Sequence, residues 1–103
     1  MPDPAAVAAA ADRIEGELRA LGWWSESPPG PKQLEFRQAF AMDTMAFSQW
    51  LQFIFLPRVR EAVNSGDFPP GSMVAAQAVR EFDGQDEAHG LIARLGDFDA
   101  LFG

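Results

Sequence analysis

Residues 44–57, TMAFSQWLQFIFLP, carry no charged side chain, and they limit what this chain can fold into more than any other segment. The run is shorter than the ~18 apolar residues a bilayer-spanning helix needs, and Thr44, Ser48, Gln49 and Gln52 interrupt it. Its aromatic and aliphatic side chains therefore have to be buried by the rest of the chain. No period-two alternation marks it as a strand. The apolar pattern continues past Pro57 through Val59, Ala62 and Val63 at helical spacing, and Ser65-Gly66 supplies a stop. The segment reads as a central helix capped by Asp43 or Thr44. Pro57 lacks an N–H for the Phe53 carbonyl and its ring crowds that turn, so a kink or a break is expected near residue 56.

On a helical wheel of ~100° per residue, Phe47, Trp50, Leu51 and Ile54 share one side, and Gln49, Gln52, Phe53 and Leu56 the other. A helix apolar nearly all round is touched by several neighbours. Its polar members are then informative, because a buried amide without partners costs ~1–3 kcal/mol. Gln49, Gln52 and Arg58 have two readings. They bond loop backbone and pin a Pro-rich connector to the bundle, or they line a small polar site where Asp43, Thr44 and Arg58 face a ligand or partner, with Trp50 as a further candidate binding residue. The residue types favour the first reading and leave the second open.

The remaining segments also read as helices. Asp3 is placed to cap a helix with Pro4 at its first position. Val7, Ala11, Ile14, Leu18 and Leu21 form its apolar stripe, and Gly22 ends it. Pro28, Pro29, Gly30 and Pro31 then break regular structure, with Trp23, Trp24, Leu34, Phe36 and Phe40 as anchors for the connector and a helical turn possible at 31–36. One of Trp23 and Trp24 is expected to plug the core and the other to lie half exposed. After the loop DFPPGS, a short helix follows with Ser72 as a candidate N-cap and Val74 or Ala75, Ala78, Val79 and Phe82 on its apolar face. A last helix carries Leu91, Leu95, Phe98 and Leu101 or Phe102, with Asp86 and Glu87 in its first turn, where the helix dipole favours them. The expected fold is all-α: a four-helix bundle-like single domain over residues 1–103 with Pro-rich connecting loops.

Function is constrained mainly by exclusion. The chain has no cysteine, which removes disulfides and thiolate chemistry. Its one histidine, His89, stands in an acidic helix start with Asp86 and Glu87, and solvation explains that cluster better than a metal site. Ser25, Ser48, Ser65 and Ser72 have only His89 to serve as a base, and no strand–turn–helix surrounds any of them. Asp97 and Asp99 stand at i and i+2, do not face each other on a helix, and read as surface carboxylates. Neither a catalytic set nor a cofactor is expected. The net charge of −7 opposes direct nucleic-acid binding. That charge is uneven: −3 over residues 1–36, +2 over 37–60 and −6 over 61–103. The N-terminal alanine run lacks a basic flank and is broken by Asp12, Arg13 and Glu15, so it reads as a helix start in a cytoplasmic protein with no membrane segment.

Phe40, Asp43, Thr44, Met45 and Phe47, followed by the unbroken block Gln49 to Arg58, resemble the YqcC-like family of small bacterial helical proteins. LGWW at 21–24 and LIARLGDFDALF at 91–102 agree with it. The resemblance implies an all-helical fold and a bacterial cytoplasmic protein, and it supplies no catalytic residues. It also implies an association with tRNA modification, because members are often encoded near a tRNA pseudouridine synthase. Together these readings point to a non-enzymatic accessory module with a protein partner. The alternative is a small-molecule or anion binder using the Asp43–Arg60 region. The oligomeric state stays open.

Overall fold

The computed structural model describes residues 2–27 and 46–102. Among them the elements are α1 (Pro4–Ala20), α2 (Phe47–Trp50), a π-helical turn (Leu51–Phe55), α3 (Leu56–Ser65), α4 (Val74–Glu81), a 3-10 turn (Asp86–Ala88) and α5 (His89–Ala100). All of these are helical, and α2, the π turn and α3 run on as one stretch, so four helical segments form the bundle. The anchors and helical turn expected at 31–40, and the caps expected at Asp43 and Thr44, lie outside the described residues.

The first helix follows its sequence pattern closely. Asp3 accepts a hydrogen bond from the Ala5 N–H, and Pro4 starts the helix. Val7, Ala10, Ala11, Ile14 and Leu18 are buried, while Leu21 is only half-buried. Gly22 adopts φ 76°, which lets the Trp23 N–H reach the Leu18 carbonyl at 2.9 Å and the Gly22 N–H the Arg19 carbonyl at 3.1 Å. This pair of bonds is a Schellman stop. It turns the chain sharply and delivers Trp23, Trp24 and Ser25 to the flank of the bundle. Both tryptophans end half-buried, contrary to the expected split. Trp23 packs on Phe82 with ring centroids 5.1 Å apart, and Trp24 lies under the Arg19 guanidinium at 4.4 Å. Each ring found its own partner on the bundle flank, so neither had to enter the core.

Pro57 does not end the helical run, and the disruption expected near residue 56 is a π turn rather than a stop. The chain instead widens one turn ahead of it: the Leu56 N–H bonds the Leu51 carbonyl, five residues back. A wider turn relieves the crowding that the proline ring imposes on a normal α turn, and α3 then proceeds with Pro57 in its first turn, where a missing N–H is harmless. The wider turn also changes which residues point inward. Leu51, Gln52, Ile54, Phe55 and Leu56 are all buried, so the two opposed faces of a regular wheel merge into one broad contact surface.

Helix α1 packs against both α3 and α5, and α4 packs on α5. The core gathers Val7, Ile14, Leu18, Leu51, Leu56, Leu91 and Leu95, with Trp50, Phe55, Phe82 and Phe98 around them. At α4 the expected Ser72 cap is replaced. The helix begins after Met73, and its first N–H groups are capped by a carboxylate from α5: Asp99 accepts from Val74 N at 3.1 Å, from Ala75 N at 2.8 Å and from the Ser72 hydroxyl. Asp99 was expected to be a surface carboxylate, but here it joins two helices. A carboxylate at a helix start satisfies orphan donors and complements the helix dipole. Among the described residues no helix is long and apolar enough to cross a membrane, and no three His, Asp or Glu side chains gather as a metal site requires.

Candidate functional site

The six residues singled out from the sequence separate into distinct environments. Gln52 is 7% exposed and doubly bonded to one residue: its Oε1 accepts from the Ser25 N–H at 2.8 Å, and its Nε2 donates to the Ser25 carbonyl at 2.8 Å. The amide thus mimics a strand partner for the segment leaving α1, just before the Pro-rich connector. Gln49 turns back on its own helix start, where its Oε1 accepts the Ala46 N–H at 3.0 Å. Both glutamine side chains bond backbone. Asp43 and Thr44 lie outside the described residues.

Trp50 and Arg58 come together at a hollow of about 310 Å³. Its floor is the edge of the core: Val7 from α1, Phe55 from the π turn, Val59 from α3, Val74 from α4 and Phe98 from α5. Trp50, Ala62 and Phe102 extend the walls, and the loop from Phe68 to Met73 closes one side. That loop is held at two points. Phe68 meets Phe102 with ring centroids 6.0 Å apart, and Ser72 bonds Asp99. The rings form a continuous series along the wall. Trp50 packs on Phe55 at 5.5 Å, Phe55 on Phe98 at 5.1 Å and Phe98 on Phe102 at 5.0 Å. Met73, 78% exposed, stands at the edge.

Arg58 is exposed, lines this hollow, and makes no hydrogen bond or ion pair among the described residues. Arg60, two residues on, is committed elsewhere. It bonds Glu15 at 2.8 Å and Asp12 at 3.4 Å across the α1–α3 contact. Glu15 also takes the Arg19 Nε at 2.9 Å. The Arg19 hydrogen bond, with Arg60 adding to it, holds the Glu15 carboxyl below the ordinary 4.5 against the opposing effect of partial burial. Arg94 is likewise shared between Glu17 and Asp97. The exposed His89 is 4.0 Å from the equally exposed Asp86, an arrangement with no convergent third ligand.

The hollow can accept an apolar group in a pocket of carbon walls and meet a negative charge at its mouth. Ser72, the hydroxyl on its lining, is held by the Asp99 carboxylate that also caps α4. The loop Phe68–Met73 and the C-terminal Phe98 and Phe102 are the part that sequence reasoning missed. The doubled proline and the phenylalanines were visible, but their meeting with residue 58 depends on the Asp99 cap.

Comparison with known proteins places this geometry in a family. The family model DUF446, described as tRNA pseudouridine synthase C, matches residues 6–101. An uncharacterized protein, YqcC of Escherichia coli K12, is 31% identical over 91 residues, covering 86% of this chain and 84% of that protein. An uncharacterized Haemophilus influenzae protein is 26% identical over 76 residues, 70% of this chain and 72% of its own. A protein named tRNA pseudouridine synthase C, from Pectobacterium carotovorum subsp. carotovorum, is 36% identical over 52 residues. That match spans 50% of this chain but only 14% of that protein. The solution NMR structure of YqcC from E. coli aligns with a TM-score of 0.85 at 29% identity, covering 99% of this chain and 89% of that one.

Proposed function

This chain belongs to the YqcC-like family, and on that footing we propose that it is a bacterial cytoplasmic docking module that works beside a tRNA pseudouridine synthase without catalysing a reaction itself. One observation carries the reading: a stretch like half of this chain recurs as a small part of a much longer protein bearing that enzyme's name. A fold of which half resembles a stretch inside a protein named for that enzyme is suited to meeting the same enzyme. The carbon-walled hollow beside Arg58 offers a face of the right kind, an apolar recess with a polar rim. The net charge of −7 leaves the tRNA to the enzyme.

The test is direct binding of the purified chain to the pseudouridine synthase of the same host, measured by calorimetry and size-exclusion chromatography. A stoichiometric complex is expected, with the module altering the enzyme's stability or its rate on tRNA. An enzyme that neither binds the chain nor changes in its presence would refute the reading.

A further inference from the structure

The hollow's chemistry specifies what it takes from that partner, and this inference rests on the docking reading above. We infer that the synthase inserts a bulky apolar side chain, aromatic or long aliphatic, from a segment that also carries a carboxylate, with the apolar group on the ring series and the carboxylate on Arg58.

The walls set the first half of that description. A recess of about 310 Å³ lined by carbon, with Phe55, Val59 and Phe98 at the core edge, favours an apolar group. Rings prefer edge-to-face or offset contacts at 4.5–7 Å, and the series from Trp50 to Phe102 already runs at 5.0–5.5 Å. An inserted ring or aliphatic chain extends that series. Met73, flexible and polarizable at the rim, adapts to the shape of the incoming group and loses its own exposure.

The charge sets the second half. Arg60, Arg19 and Arg94 are occupied by carboxylates of this chain, whereas Arg58 at the mouth of the hollow has none among the described residues. A planar guanidinium matches a carboxylate bidentately and steers it during encounter. A cationic segment would be repelled by Arg58. A nucleic acid stacking on the rings would bring several phosphates to a chain whose residues 61–103 carry −6, with too few cations at the site to receive them.

The experiment measures the affinity of the full chain for the host synthase, with wild type beside Arg58→Glu, Arg58→Lys, Met73→Glu and, as a control outside the hollow's lining, the exposed Arg80→Glu. Circular dichroism and thermal melts confirm that each variant folds, which their exposed positions favour. Arg58→Glu and Met73→Glu are expected to weaken binding at least ~10-fold, Arg58→Lys only a few-fold, and Arg80→Glu not at all. Wild-type affinity should fall as salt rises. If the wild type binds but Arg58→Glu and Met73→Glu bind equally well, the hollow is not the dock, although the association stands. If the wild type does not bind the synthase, the docking reading fails and takes this inference with it. A parallel titration with host tRNA separates the remaining class of occupant: Arg58-dependent binding of tRNA by the free chain would overturn the protein occupant in favour of a nucleic acid.

Discussion

Gln52 and Arg58 stand on the same continuous helical stretch, on either side of Pro57, and meet opposite circumstances. Gln52 is buried and both ends of its amide are matched by Ser25. Arg58 is exposed at the edge of an apolar recess with no partner among the described residues. A polar group that is buried and satisfied belongs to the fold, and its removal costs the fold. A cation at the mouth of a carbon-walled hollow adds little to the fold, and its removal costs whatever the hollow binds. The two sites therefore predict opposite separations of stability from binding.

The largest stability effect is expected at Gln52. Gln52→Ala strips both hydrogen bonds from the Ser25 backbone and leaves a gap at a buried position, which should cost about 2–4 kcal/mol, read as the shift of a urea or thermal unfolding transition. A loss below ~1 kcal/mol would mean that the clamp is dispensable. Asp99→Ala comes next. Loss of the cap on α4 should cost about 1–2 kcal/mol and raise amide exchange at Val74 and Ala75 before the rest of the chain. The same change should loosen the Phe68–Met73 wall and weaken partner binding, which would join the two regions energetically.

Glu15→Gln tests the half-exposed network that occupies Arg60 and should cost about 1 kcal/mol or less. Because the folded carboxyl titrates below 4.5, its contribution is present above that pH and is lost as pH falls through the depressed value. The difference between wild type and Glu15→Gln should therefore shrink on acidification below 4.5 and in high salt. The smallest stability effect, within ~0.5 kcal/mol, is expected for Arg58→Ala, measured by the same unfolding transition. A large destabilisation there would make Arg58 a structural residue like Gln52 and erase the contrast.

Much of this arrangement could be read from local pattern. The α1 stripe, its Asp3 and Gly22 ends, the α5 stripe and the informative character of Gln52 all follow from spacing and residue type. What escaped depends on distance in the chain. Asp99 caps a helix that begins 25 residues before it, a pairing no local motif encodes. The π turn answers Pro57 by widening the turn ahead of it, and this brings Gln52 and Leu56 onto the same buried surface as Ile54. Arg58 and Arg60 differ by two positions and share a residue type, yet one faces α1 carboxylates and the other the hollow. Only the packing of α1 against α3 tells them apart.

The most direct test of the central claim is a backbone amide chemical-shift map of the chain titrated with its host synthase. The account predicts that the largest perturbations gather on Phe55, Arg58, Val59, Phe68 and Gly71 to Val74, with Ser25 and Gln52 unmoved. Perturbations centred on the Ser25–Gln52 flank, or spread over α1 with residues 55–74 silent, would contradict it.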